Sequence, residues 1–220
     1  MTSLVHPPAR DQVKALTQWT AGDLVIVVVG ASAGGVEALS NLFWNLPCTN
    51  SITFFVVLHL SPHRQSQLPA ILARTGRLPA EHPLDGEKIK PGRIYVAPPD
   101  FHLIVGNGVV RLDHGPKEHH LRPSIDRLFC SAAQTYGNRV VGIVLTGMLW
   151  DGVAGLKEIR RHSGLAVVQD PAEAGFEQLP ENALAADVVD VCLPVAQIRE
   201  LLAQLPNCFD RKWDRGHQES

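Results

Sequence analysis

Apolar residues fall along this chain in two rhythms. Asp23-Leu-Val-Ile-Val-Val-Val and Ile52-Thr-Phe-Phe-Val-Val-Leu are short continuous runs rich in β-branched and aromatic residues, the pattern of strands buried on both faces. Between them, Val36-Glu-Ala-Leu-Ser-Asn-Leu-Phe-Trp returns to an apolar residue at helical spacing. Ser61-Pro62 can cap and open a helix through Gln67–Arg74, because proline is tolerated in a first helical turn. Arg93-Ile-Tyr-Val-Ala reads as a short strand. His102–Leu112 reads as a β-hairpin turning at Asn107-Gly108, where positive φ is cheap.

From there the alternation is regular: helix Ser124–Tyr136 stopped by Gly137, strand Arg139–Leu145, helix Val153–His162 stopped by Gly164, and strand Ala166–Gln169. A short helix Glu181–Ala186, a strand Val188–Cys192 and a helix Val195–Leu205 complete it. Strands alternating with helices of this length predict an α/β fold, a doubly wound, mainly parallel sheet with helices on both faces and a β-hairpin insertion. The expected organisation is a lead-in over 1–22, in which Asp11–Trp19 can form one helix, a single domain over 23–205, and a polar tail over 206–220.

Composition narrows the function classes. At 220 residues, 45% apolar and 19% charged, the chain suits one large globular domain. A formal net charge of −2 offers nothing to nucleic acid or an anionic membrane surface. The longest apolar run, Leu24–Val29, is far short of the ~20 residues needed to cross a bilayer, and no signal peptide is visible at the N-terminus. Cys48, Cys130, Cys192 and Cys208 are scattered without disulfide or metal-knuckle spacing, which places the expected compartment in the cytoplasm.

The chemistry concentrates at Gly30-Ala31-Ser32-Ala33-Gly34-Gly35, between a buried strand and a helix. The spacing satisfies G-x-S-x-G, a sharp strand-to-helix turn that exposes a serine hydroxyl. The helix N-terminus behind it offers unpaired N–H groups to an oxyanion. A phosphate-cradling loop fits less well: serine stands where G-x-G-x-x-G needs its second glycine, and the acidic residue expected some 20 positions on is missing. A purely structural turn is as good a reading of the motif alone. His59 tips the balance, because it ends the next strand, and residues beyond neighbouring carboxyl ends of such a sheet converge on one crevice. Ser32 and His59 there suit a nucleophile and its general base. Asp151, after the strand and glycine turn of Val141–Gly147, is the candidate carboxylate. It can cap the helix it opens, accept the imidazole Nδ1–H, or do both. His114, His119 and His120 lie in a polar loop and carry no metal expectation.

Five separated motifs, Gly30-Ala-Ser-Ala-Gly-Gly, Leu58-His-Leu-Ser-Pro, Ile94-Tyr-Val-Ala-Pro, Arg122-Pro-Ser-Ile-Asp and Leu145-Thr-Gly-Met-Leu-Trp-Asp-Gly, occur in the order and spacing of CheB-type protein-glutamate methylesterase domains, and the chain resembles that family over roughly 23–205. The resemblance implies a catalytic triad of Ser32, His59 and Asp151, with the backbone amides of Ala33 and Met148 as the oxyanion hole. It implies hydrolysis of glutamate γ-methyl esters, and deamidation of glutamines, on the cytoplasmic helices of chemoreceptors in chemotaxis. No metal or organic cofactor is implied. Family members frequently carry an N-terminal receiver domain, for which residues 1–22 are too few, which leaves a stand-alone esterase, a piece of a longer protein, or a domain controlled by a separate receiver or methyltransferase protein as the open alternatives. Two positions depart from the family pattern: alanine at 33 where threonine is common, and leucine at 149 where glycine is usual. A glycine needed there for positive φ would leave leucine strained by about 1–3 kcal/mol. The rival functions are a serine esterase or amidase of another substrate, and a signalling module that kept the fold with weakened catalysis.

Overall fold

The computed structural model describes residues 19, 23–47, 51–59 and 66–205. The expectations over Asp11–Trp19 and Ser61-Pro62, the rest of the lead-in and the tail lie largely or wholly outside these residues. The strands are β1 (Val25–Ala31), β2 (Ile52–Leu58), β3 (Ala80–Glu81), β4 (Ile94–Val96), β5 (His102–Val105), β6 (Val110–Asp113), β7 (Val140–Val144), β8 (Leu165–Gln169) and β9 (Val191–Leu193). The helices are α1 (Gly35–Phe43), α2 (Leu68–Thr75), α3 (Ile125–Tyr136), α4 (Val153–Arg161), α5 (Gln178–Ala185) and α6 (Val195–Gln204).

Seven strands form one parallel sheet in the order β3-β4-β2-β1-β7-β8-β9, and β5-β6 form a separate antiparallel hairpin. Every residue of β1 and β2 is buried, as the apolar runs predict for strands covered on both sides. Val25, Val27 and Val29 face a core built with Leu39 and Phe43 of α1, Leu72 of α2 and Ile198 and Leu202 of α6. Ile26 and Val28 face the opposite core, with Leu128 and Phe129 of α3, Leu156 and Ile159 of α4, Leu179 of α5 and Leu103 and Val110 of the hairpin. The period-two alternation of a strand thus feeds two cores from one continuous apolar run.

The helix expected to open at Ser61-Pro62 and run through Gln67–Arg74 begins, among the described residues, at Leu68, two further boundaries shift, and one short strand was not expected. The helix expected over Glu181–Ala186 starts three residues earlier, at Gln178, with Pro180 inside its first turn, where a missing N–H costs nothing. The strand expected over Val188–Cys192 is shorter and shifted, Val191–Leu193, because Asp190 turns inward to accept the amide of Ala166. β3, two residues at the sheet edge, has too little apolar pattern to be read from sequence.

The chain runs outward from β1 through β2 to β4, then returns across the sheet to β7 on the other side of β1. The strand order therefore reverses between β1 and β7, and the crevice beyond their carboxyl ends is where open α/β sheets place their sites.

Candidate active site

Ser32 directly follows β1. β1 and β2 pair in register from Val25 with Ile52 to Ala31 with Leu58, so the next step brings Ser32 beside His59, whose amide donates to Ala31 O at 3.1 Å. On the other side, β1 pairs with β7 as far as Gly30 with Val144, and the Ser32 amide donates to Thr146 O at 3.0 Å. The serine is wedged between the ends of two neighbouring strands. Gly34 makes the turn at φ 75° and serves as the N-cap of α1, a conformation that glycine adopts without steric cost. Thr146 ties the turn down: its Oγ1 donates to Ala33 O at 3.1 Å and accepts the Phe176 amide at 2.8 Å, while its own amide donates to the buried Gln169 side chain at 2.8 Å.

Gly30 explains how the carboxylate comes near. A Cβ at Gly30 would stand 2.3 Å from Ile125 Cγ2, so only glycine lets the first residue of α3 rest on β1. That approach brings the N-terminus of α3 to the crevice, and Asp151 sits on it. Asp151 Oδ1 accepts Ser124 Oγ–H at 2.9 Å and the Asp126 amide at 3.0 Å. Its Oδ2 accepts the Ile125 amide at 2.7 Å and faces His59 Nε2 at 2.8 Å. The carboxylate is almost wholly buried, yet both oxygens are filled, and the helix dipole favours an anion there.

Two expectations are corrected here. Asp151 caps α3 rather than α4, the helix it precedes, whose N-cap is Gly152 at φ 113°. It also faces Nε2 of His59, not Nδ1. Because an ionised carboxylate only accepts, the nitrogen facing it carries a proton, so Nδ1 is the nitrogen that holds the lone pair in the neutral ring. Among the described residues neither His59 Nδ1 nor Ser32 Oγ has a hydrogen-bond partner, and the amides of Ala33 and Met148 are likewise unpaired.

Burial pushes the Asp151 carboxyl up, but the hydrogen bonds from His59 and from the amides of Asp126 and Ile125 outweigh it and hold it below the ordinary carboxylate range. Asp126 goes the other way. Burial, and then the negative charge of Asp151, push it up to about 6, against the opposing pull of the Gly155 and Gly152 amides.

The motif Arg122-Pro-Ser-Ile-Asp proves to be a helix entry. Ser124 is the N-cap, accepting the Arg127 amide at 3.3 Å, and Arg122 turns away to pair with Asp100 at 2.8 Å. Ser124, Asp126 and Thr146, quoted above only as parts of motifs, and Gln169 join the site with roles that the sequence did not assign. Ser124 and Asp126 carry a sequence signal, a capping serine with an acid two residues on, but that signal reads as a cap for their own helix. Contact with Asp151 depends on how α3 and α4 pack.

The rim is apolar. Met148, Leu149, Trp150 and Phe176 are 47%, 56%, 57% and 45% exposed. Leu149 has φ 68°, so the strain expected of leucine at this position is present. It is held by Gln178 Oε1, which accepts its amide at 3.1 Å, and by Asn182 Nδ2, which donates to its carbonyl at 2.6 Å.

An open parallel α/β domain that gathers an alcohol, an imidazole and a buried carboxylate at its switch point falls within the class of hydrolase-type α/β domains. The comparisons with known proteins narrow this. The family model described as CheB methylesterase matches residues 27–202. A relative in Leptospira interrogans, provisionally named for protein-glutamate methylesterase and protein-glutamine glutaminase activities, is 36% identical over 180 residues, covering 81% of this chain and 93% of that one. Protein-glutamate methylesterase/protein-glutamine glutaminase 2 of Anaeromyxobacter dehalogenans is 36% identical over 185 residues, covering 84% of this chain and 54% of that one. The crystal structure of the Thermotoga maritima CheB methylesterase catalytic domain superposes with a TM-score of 0.79 at 33% identity, covering 83% of this chain and 99% of that chain. The chain belongs to the CheB methylesterase family of hydrolases, and its described fold is that of the catalytic domain. It spans nearly the whole Leptospira relative but about half of the Anaeromyxobacter one.

Proposed function

We propose that this chain is a protein-glutamate methylesterase in which Ser32 is the nucleophile, His59 the general base and Asp151 the group that orients and charges the imidazole. The substrates are glutamate γ-methyl esters on the cytoplasmic helices of chemoreceptors, with glutamine side chains as a second, deamidation substrate, and the setting is the cytoplasm. The observation that carries this reading is the 2.8 Å contact of His59 with a buried, fully hydrogen-bonded Asp151, one register step from Ser32. Among the described residues no helix is long and apolar enough to cross a membrane, in keeping with a partner approached from water.

Ser32 Oγ attacks the ester carbonyl carbon as its proton passes to His59 Nδ1, the nitrogen left free by Asp151. The tetrahedral oxyanion is met by the amides of Ala33 and Met148. As the C–O bond breaks, the imidazolium returns its proton to the departing methoxide, methanol leaves, and an acyl-enzyme remains. Water then repeats the attack with His59 again taking the proton, and collapse frees the glutamate and restores Ser32. The short Ser32–His59 contact forms when substrate arrives, since catalytic hydrogen bonds in free enzymes are often long.

Methanol release from methylated receptor cytoplasmic fragments tests the proposal. Ser32→Ala should lower the rate by roughly 10⁴-fold or more. Because Ser32 Oγ has no hydrogen-bond partner among the described residues, the melting temperature should stay within about 2 °C. Turnover retained in Ser32→Ala would exclude Ser32 as nucleophile. Fluorophosphonate labelling of Ser32 without methanol release would point to a different ester.

A further inference from the structure

The helices that meet at Asp151 are clasped reciprocally. α3 begins with Ser124, Ile125 and Asp126 holding the Asp151 carboxylate, as described above. α4 begins with its own amides turned onto a carboxylate from α3: Asp126 Oδ1 accepts the Gly152 amide at 2.9 Å and the Gly155 amide at 2.6 Å. α3 is therefore capped by an acid from the turn leading into α4, and α4 by an acid of α3. Neither α4 nor its N-cap Gly152 has a side-chain cap of its own, so Asp126 supplies what the local sequence lacks. The space for this is made by glycine. A Cβ at Gly155 would lie 2.5 Å from Phe129 Cβ and 3.2 Å from Asp126 Oδ1.

We infer that Asp126 is a positioning residue for hydrolysis: by holding the main chain at Gly152, the residue next to Asp151, it keeps the Asp151 carboxylate aimed at His59. This rests on the reading of His59 and Asp151 as base and orienting acid. A carboxylate on a short side chain has its direction set by the peptide it hangs from, and Gly152 at φ 113° has no Cβ to restrict it. Without Asp126 the Gly152 amide would lose its acceptor and the turn would keep only the backbone bonds from Val153 to Trp150 and from Leu156 to Gly152, and Asp151 would shift toward the Ser124 hydroxyl and the two α3 amides, whose three contacts outnumber its single one with His59. The loss would be one of aim, felt in chemistry rather than in substrate binding, because the Asp126 carboxylate spends its contacts on the Gly152 and Gly155 amides.

Steady-state methanol release by the whole chain tests this, with four proteins compared: parent, Asp151→Asn, Asp126→Ala and Asp126→Asn. Asp126→Ala should lose roughly 10–100-fold in kcat at unchanged KM, the effect of a misaligned base. Asp126→Asn keeps an Oδ1 acceptor for both amides and should stay within about threefold of the parent. A merely structural cap would lower the melting temperature in Asp126→Ala yet leave kcat per folded molecule unchanged, and that result overturns the inference. Equal loss in Asp126→Ala and Asp126→Asn overturns it as well, because charge rather than grip would then be at work. If Asp126→Ala does not fold, Asp126→Glu replaces it. Its carboxylate is displaced by one methylene, so kcat should fall at constant KM, and a parental kcat counts against the inference. An inactive parent, or Asp151→Asn equal to the parent, defeats the underlying reading instead.

Discussion

Two strand-to-helix turns border the crevice, and they are built on opposite principles. The turn after β1, Gly30–Gly35, is made of small residues. Its one left-handed position is Gly34, at φ 75°, and the side chain it presents, Ser32, bonds to nothing among the described residues. The turn after β7, Leu145–Gly152, is longer and carries large side chains. One of its left-handed positions is occupied by a leucine, Leu149 at φ 68°, and the side chain it presents, Asp151, accepts four hydrogen bonds. The first turn achieves its shape through local backbone freedom. The second is held by α3 and α5, through Asp151, Gln178 and Asn182. Chemistry and stability are therefore separable at the first turn and fused at the second.

The strongest way to break this contrast is at its two presented side chains. Ser32→Ala should change rate alone. Asp151→Asn should lower the rate by roughly 10³–10⁴-fold, since an amide facing His59 Nε2 favours the wrong tautomer. It should also destabilise the fold by about 1–3 kcal/mol, because an anion is removed from the N-terminus of α3 and an NH₂ is turned toward backbone amides. Rate assays and urea denaturation on the same preparations check both halves. Loss of rate with parental stability would place Asp151 on the same footing as Ser32 and dissolve the contrast.

A smaller effect should appear with pH. Asp126 has its carboxyl raised from 3.8 to about 6 in the folded protein, so the folded state holds this proton more tightly than the unfolded chain. Its contribution to stability is then full below about pH 4 and lost as pH rises through about 6, by an amount on the order of 2–3 kcal/mol. Asp151, lowered by its partners, has the opposite sign and is lost only as pH falls below the ordinary carboxylate range. Asp126→Asn removes the first term, so the stability of the variant relative to the parent should grow between pH 4 and pH 6.5. Urea midpoints across that interval measure it, and a difference flat with pH would show that Asp126 is ionised without penalty. No such slope belongs to the first turn, where nothing titrates.

The contrast also explains what could be read in advance. The small-residue turn is legible because its determinants are contiguous: an apolar run, Gly30, Ser32, Gly34, then a helical rhythm. The register placing His59 beside Ser32 follows from two strands of equal burial ending together. At the second turn Asp151 is visible as a candidate, but its partners are not. Ser124 and Asp126 lie 27 and 25 residues away in sequence, and they meet Asp151 only because Gly30 and Gly155 let α3 settle onto β1 and α4. The same packing decides which imidazole nitrogen faces the carboxylate, and no local pattern encodes that. Gln178 and Asn182 were missed for a related reason: α5 has weak patterning at its start, so the helix that steadies Leu149 was expected to begin three residues late.

Leu149 offers the finest test, because it asks whether the second turn can be given the first turn's solution. A leucine in the left-handed region costs about 1–2 kcal/mol against glycine, while glycine gives back about 0.5–1 kcal/mol through the greater freedom of its unfolded chain. Leu149→Gly should therefore stabilise the protein by about 0.5–1 kcal/mol, or roughly 1–4 °C in melting temperature for a domain of this size. The side chain is 56% exposed, so little burial is lost, and both backbone contacts, to Gln178 and Asn182, survive the change. A gain would mean that the leucine is kept at a cost in stability, at the rim of the candidate site. A fall in melting temperature would mean that its apolar contacts with the turn outweigh the backbone strain, and that the second turn is stable because of its large side chains.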